Sequence, residues 1–305
     1  MNDMVSENDA LLQQRLLARL AAGPSMQDIR EVQRRPDALG DLAATVEEIQ
    51  TVELAKLRII VGFDTNSLKR YREERLELDE VVTQIGDQVK VIIPGQSYVE
   101  YYNNHEAFSK TQLEQLTSRL SAFSKDLDGP LLELNRRGII AAEDLHSLAA
   151  SVSDFKERYN PGSTRDNINR TLEVLASLID AGVEVPFCDR QLFSDVANIR
   201  LATKTPPGWA DVKSKGSQAL GDFYCWTEFL LGLLQSQEVA STDDAKRLAI
   251  FVSGDRKSDW NMSDFAHPYL AAECLSATGF RLSKLEPHEL RKVLKVISEL
   301  DIGSP

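Results

Sequence analysis

Two predominantly apolar runs containing isoleucine and valine punctuate the chain, Leu57-Arg58-Ile59-Ile60-Val61-Gly62-Phe63 and Leu248-Ala249-Ile250-Phe251-Val252. Neither alternates in polarity nor shows helical spacing, which predicts strands buried on both faces of a parallel sheet. The first ends directly in Asp64 and the second in Ser253-Gly254-Asp255. Val89-Lys90-Val91-Ile92-Ile93 predicts another strand, and Phe280-Arg281-Leu282 a short final one. Helical spacing fills the intervals. Leu68, Tyr71, Leu78, Val82 and Ile85 mark one helix face, Pro94-Gly95 opens a helix whose second turn carries Glu100, and Asp189 to Thr203 forms another. Gly221-Asp222 opens a helix with Phe223, Trp226, Leu230, Leu233 and Leu234 toward the core, and Pro287 to Leu300 closes the chain. The class is α/β.

Two stretches differ in texture. Residues 1–56 read as wholly helical: Leu11, Leu12, Leu16 and Leu20 form one face, Gly23-Pro24 breaks it, Ser25 to Asp28 resembles a capped helix start, and Leu42, Val46, Ile49 and Val52 follow at helical spacing. Residues 57–305 form the main domain, with a helical insertion at about 108–186. In the insertion Leu113, Leu116, Leu120, Phe123 and Leu127 recur at three and four residues until Gly129-Pro130 interrupts. Leu145, Leu148, Val152 and Phe155, then Ile168, Leu172, Leu175 and Ile179, continue beyond it, with Asn160-Pro161-Gly162-Ser163 as the turn between them. These helical segments could form a homo-oligomer or regulatory-partner surface, or simply pack on the main domain.

Composition narrows the chemistry. With 42% apolar and 27% charged residues, the 305-residue chain is ordinary for a globular protein. No secretory signal or membrane-length apolar run is visible, which places it in the cytoplasm without a membrane partner. Cys188, Cys225 and Cys274 lie far apart, which predicts buried free thiols, and His105, His146, His267 and His288 lack metal-ligand pairing. A net charge of −12 disfavours indiscriminate nucleic-acid binding, though metal ions held by acids can supply positive charge locally.

In a parallel sheet, residues that end strands or open the following helices meet at the carboxyl edge, where ligands bind. Asp64, Glu100, Asp222 and Asp255, with Asp259 nearby, satisfy that placement. Singly, each has a plainer role open to it: Asp64 as a helix cap, Asp222 as a helix-dipole partner, Glu100 as a surface acid and Asp255 as a turn residue. Gathered together they would repel one another unless a cation held them, and oxygen-only donors suit Mg²⁺ or Mn²⁺. Ions held in this way support hydrolysis of phosphate esters.

Phe63-Asp64-Thr65-Asn66, Pro94, Glu100, Arg200, Pro206-Pro207-Gly208-Trp209-Ala210-Asp211 with Lys213, Gly221-Asp222 with Trp226, and Phe251 to Trp260 resemble the PIN-like nuclease domain, in the branch with proline-proline-glycine and lysine-x-aspartate-tryptophan signatures. The resemblance covers about residues 57–300 and only loosely the insertion. It implies an α/β/α sandwich around a parallel sheet and an endonuclease, usually acting on RNA, single-stranded RNA being the favoured substrate. It implies Mg²⁺ or Mn²⁺ bound by Asp64, Glu100, Asp222 and Asp255, with Asp259 as a supporting acid. Thr65 and Asn66 would orient the first acid or the water, and Asn66, Arg200, Lys204, Lys213, Lys215 and Lys257 would bind substrate. Trp209 and Trp260 have two roles open, stacking on bases or packing against the sheet. Ser253-Gly254 departs from the threonine and acid more usual before the last acid.

Two other functions are open. Gly254-Asp255-x-x-x-Asp259 also resembles the last metal motif of haloacid-dehalogenase-like phosphatases, but Asn66 stands where those enzymes need an acid that donates a proton. A catalytically silent PIN-like interaction module is the other.

Overall fold

The computed structural model describes residues 2–34, 42–52, 56–73, 89–108, 112–159, 165–180, 182–212, 216–238, 246–263 and 265–302. The chain divides into two compact units, residues 1–101 with 176–305, and residues 102–175.

The larger unit opens with helices α1 (Asn2–Ala22), α2 (Met26–Arg34) and α3 (Leu42–Thr51). Strand β1 (Leu57–Phe63) leads into α4 (Thr65–Glu73), and β2 (Val89–Ile92) into α5 (Gly95–Asn103). The smaller unit contains α6 (His105–Phe108), α7 (Gln112–Arg136), α8 (Ala142–Tyr159) and the start of α9 (Arg165–Asp180). The larger unit resumes with α10 (Arg190–Thr203), α11 (Leu220–Glu238), β3 (Lys246–Val252), a small hairpin of β4 (Asn261–Met262) and β5 (Phe265–Ala266), α12 (Pro268–Thr278), β6 (Arg281–Leu285) and α13 (Pro287–Ile302).

The main sheet has the order β2-β1-β3-β6 and is parallel throughout. Its central strands are the two apolar runs, and from Ile59 to Phe63 and from Leu248 to Val252 every residue is buried. A strand covered on both faces has no polar side to alternate with. Helix α11 packs with α1, α10 and α12, while α13 packs with α3 and α4, so helices cover the sheet in a three-layer α/β/α sandwich. Gly62 lets α11 come close, since a Cβ there would stand 2.4 Å from the Phe229 ring. Phe251 stacks on Trp260 at 5.1 Å between ring centroids, and Trp226 meets Phe251 edge-on. Trp260 is therefore a packing residue against the sheet.

On α1, Leu12, Leu16 and Leu20 are buried, whereas Leu11 is 54% exposed; the apolar stripe is one residue narrower than the leucine pattern predicts. Gly23 ends the helix at a positive φ, and Ser25 and Asp28 form a reciprocal capping box, each side chain accepting from the other's amide. All three cysteines are buried free thiols. His267 caps α12, its Nδ1 accepting from the Tyr269 amide.

Gly129-Pro130 does not interrupt α7, which runs through it and packs against α8. An interior proline costs one backbone hydrogen bond, and a 25-residue helix with a packed partner absorbs that loss. The stop lies at Gly138, whose φ is 69°; its amide bonds to Asn135 O and that of Ile139 to Leu134 O, a left-handed cap that closes the helix. Leu78, Val82, Ile85 and the turn at Asn160 to Ser163 lie outside the described residues. Among the described residues no helix is long and apolar enough to cross a membrane.

Candidate active site

β1 and β3 pair in register up to Phe63 opposite Val252, so the residues that follow emerge at one edge. The Asp64 amide donates to Val252 O, keeping the two chains together one residue further. Asp64 then caps α4: its Oδ1 accepts from the Ser67 amide at 2.7 Å, while Oδ2 accepts from the Ser253 hydroxyl at 2.5 Å. Capping and facing the cleft are thus the same posture. Burial raises the Asp64 pKa, and hydrogen bonds from Ser253 and Ser67, with the field of Lys284, only partly offset it.

Glu100 arrives on α5. Its Oε2 accepts from the Thr65 hydroxyl and its Oε1 from the Gln96 side chain, both at 2.8 Å. Thr65 thus orients the second acid, not the first as its position beside Asp64 suggests. Gly221 makes room for this carboxylate, because a Cβ there would stand 2.6 Å from Glu100 Oε1. The next residue is Asp222 in the first turn of α11, with the Trp260 indole N–H 3.4 Å from its Oδ2.

Asp255 closes the circle. Its amide donates to Ser253 Oγ, its Oδ1 accepts from the Lys257 amide at 2.9 Å, and its Oδ2 lies 2.7 Å from Lys257 Nζ. The same ammonium is 2.8 Å from Asp211 Oδ2 and 3.7 Å from Asp222 Oδ2. Burial alone would lower the Lys257 pKa, but hydrogen bonds with Asp211 and Asp255 and the charge of Asp222 raise it overall. Asp64, Thr65, Asn66, Glu100, Asp222, Asp255 and Lys257 line one cavity of about 90 Å³, together with Gly221, Cys225 and Trp260.

The family model for the PIN like domain matches residues 60–269, more than half of the chain. The chain belongs to the PIN-like domain family. No curated protein and no solved structure matches it significantly.

Not every residue singled out in this PIN-like domain reaches the cavity. Asp259 is fully buried behind it, and its Oδ2 accepts from the amides of Gly208 and Ala210. Instead of joining the other acids it pins the loop that carries Asp211. Arg200 is 3% exposed and forms an ion pair with buried Glu273, whose other oxygen accepts from the Trp226 indole N–H at 2.8 Å. An arginine committed in this way does not present its guanidinium to a substrate. Lys204 is exposed, in a left-handed cap of α10, with its ammonium 6.0 Å from the Trp209 ring centroid. Lys257 faces three carboxylates of its own chain, and Lys213 and Lys215 lie outside the described residues.

Several participants were not assigned a role from the sequence. Gln96 had a visible signal, lying four residues before Glu100 on a helix. Glu228 had one too, a lone acid inside the apolar run of α11; it is wholly buried, accepts from the Gln96 amide at 2.5 Å and pairs with Arg190 at 2.7 Å. It anchors the start of the helix that carries Glu100. Ser253 and Asp211 gave no signal beyond their places in the motifs.

The PIN-like cleft suits a hard divalent ion in its donors: they are oxygen-only, anionic and oriented from behind by Ser253, Ser67, Thr65 and Gln96. Among the described residues, however, no three acidic, His or Cys side chains are grouped to hold one ion. The Lys257 ammonium stands among Asp211, Asp222 and Asp255.

Proposed function

We propose that this PIN-like domain is an endonuclease that hydrolyses phosphodiester bonds with Mg²⁺ or Mn²⁺, with single-stranded RNA as its substrate. The observation that carries the reading is the convergence of Asp64, Glu100, Asp222 and Asp255 from separate segments onto one polar cavity. The preference for RNA follows the family resemblance. Those four carboxylates are the oxygen donors the cavity offers to metal, two of them facing the Lys257 ammonium, and a bound divalent ion would activate water and neutralise phosphate charge. The chain's own residues do the positioning. Ser253 and Ser67 fix both oxygens of Asp64, Thr65 and Gln96 fix both of Glu100, and Gly221 keeps α11 from displacing them. Exposed Lys204 beside Trp209 supplies a cation and a ring to a strand approaching along the loop, whose Gly208 packs close to Asp222.

Labelled single-stranded RNA, single-stranded DNA and p-nitrophenyl phosphate, each with and without Mn²⁺, test the assignment. RNA is expected to be cut internally and only with the metal. Asp64→Asn and Asp255→Asn keep shape and lose charge, and should each lower cleavage by more than ~100-fold, the upper end for residues that merely support a ligand. Phosphatase activity on the small ester would favour the haloacid-dehalogenase reading, which exposed Asn66 argues against, since an amide cannot supply the proton. Inertness in every arm would leave an interaction module.

A further inference from the structure

We propose that a recess at the amino edge of the main sheet is a binding site for a small organic anion, one carboxylate or phosphate group carried on an apolar body. The recess lies among α2, α3, α12 and the first residues of β3 and β6, and has a volume of about 260 Å³. The candidate active site follows the other ends of these strands, and the seven residues of β3 put roughly 20 Å between the two edges. Binding here does not depend on whether the protein cuts RNA. Val32, Ala271 and Leu275 supply the apolar lining, the first two almost fully buried. Since an apolar cavity of about 150 Å³ accepts benzene, this one has room for a ring and an attached anionic group. The charges around it are not matched in pairs. Arg281 is committed to Glu48. The side chains of Lys246 and Arg247 make no hydrogen bond or ion pair among the described residues, and the remaining acid, Glu31, is exposed on α2 and bonded to neither. Arg247 also stands opposite Arg58 in the pairing of β1 with β3; burial lowers the Arg58 pKa and the field of Arg247 lowers it further, which marks two cations held close together. Arg58 has an acceptor, donating to Ser236 O at 2.6 Å. Arg247 has none, and its Nη1 lies at the wall of the recess, 3.6 Å from where a Cβ on Gly279 would stand. A guanidinium presents paired N–H donors that match carboxylate or phosphate oxygens, and the ammonium of Lys246 adds a second charge. An anion bonded to Arg247 would relieve its repulsion with Arg58, while the apolar body removed Val32 and Leu275 from water.

Titration of the full chain with benzoate, phenyl phosphate, benzyl alcohol and inorganic phosphate, followed by NMR at the methyl groups of Val32, Ala271 and Leu275, tests this. Benzoate or phenyl phosphate should shift those methyls saturably with a Kd of about 1 mM or tighter, ordinary for ligands of this size. Benzyl alcohol lacks the charge and inorganic phosphate lacks the ring, so each should bind at least ~10-fold more weakly. Whichever of the two aromatic anions binds tighter identifies the ligand as a carboxylate or a phosphate. Arg247→Gln should weaken both at least ~10-fold and, by removing one of two adjacent cations, should melt no lower than the parent without ligand. Failure of both aromatic anions to shift the three sets of methyls saturably in the parent would overturn the site, so the test stands even if Arg247→Gln fails to fold. Equal affinity for benzyl alcohol and benzoate would overturn the requirement for an anion, and equal affinity for inorganic phosphate the requirement for an apolar body. Unchanged affinity in a folded Arg247→Gln chain would overturn the role of its guanidinium, and with it the proposal.

Discussion

Replacing Arg200 by Met would leave Glu273 almost fully buried with its charge uncompensated, since the side chains of the pair are 4% and 1% exposed. Breaking a buried pair from one side costs ~3–5 kcal/mol. Arg200 Nε and Nη1 are themselves buried without hydrogen-bond partners, so their removal recovers some desolvation energy and the loss should fall near the low end of that range. At ~2–4 °C per kcal/mol for a unit of this size, the midpoint of thermal unfolding should drop by at least ~6 °C. The pH dependence has a definite sign. Burial already raises the Glu273 pKa, with Arg200 and the Trp226 hydrogen bond opposing it. Without Arg200 the folded-state pKa rises further above its unfolded value, so stability is retained at acid pH and lost as pH rises through the folded pKa. The variant should therefore recover toward the parent at acid pH and be weakest at alkaline pH. Adding Glu273→Gln, which can still accept from Trp226, should restore most of the neutral-pH loss. Thermal melts across pH, alongside RNA binding at several salt concentrations, measure both roles. An Arg200→Met chain that melts with the parent but binds RNA more weakly, with a shallower salt dependence, would show the residue to be a phosphate contact and refute the structural account.

Substitutions at two further positions separate site residues from supporting ones. Gly221→Ala places a methyl group 2.6 Å from Glu100 Oε1 at the start of a helix, so cleavage should fall ~10–100-fold, as for a small misplacement of a catalytic group, with little loss of thermal stability; unchanged turnover would mean that Glu100 is not held where this structure has it. For Asp259, Asn can still accept from Gly208 and Ala210, so Asp259→Asn should keep metal-dependent cleavage within ~10-fold of the parent, while Asp259→Ala loses two charge-assisted hydrogen bonds and ~3–6 kcal/mol; loss of Mn²⁺ binding in a folded Asp259→Asn protein would restore Asp259 to the ligand set.

What could be read before the structure follows the range of the forces involved. The strands of Ile59 and Ile250 were legible because burial on both faces leaves an unbroken apolar run, and their trailing acids inherit a location from the sheet. The Ser25 and Asp28 cap was legible because both partners lie within one turn. The stop at Gly138 was missed in favour of Gly129-Pro130, since which glycine adopts a left-handed conformation is decided by the closing hydrogen bonds and not by composition. Arg200 was misplaced for a related reason: its partner Glu273 lies on another helix, and a charge with a distant buried partner looks the same in sequence as a solvated one. Lys257 shows the same ambiguity, its cation serving Asp211, Asp222 and Asp255 where substrate binding was expected.

The pairing of Leu57 with Lys246 and of Phe63 with Val252 has a consequence for biosynthesis. A chain synthesised only as far as Glu238 already contains Asp64, Glu100 and Asp222, yet β1 has no β3 to lie beside and Lys257 has not been made. Such a nascent chain, or a fragment left by a premature stop codon, carries three of the acids without the pocket. Only translation beyond Lys257 supplies both the strand that aligns those acids and the lysine that neutralises part of their charge, so incomplete products should be inert.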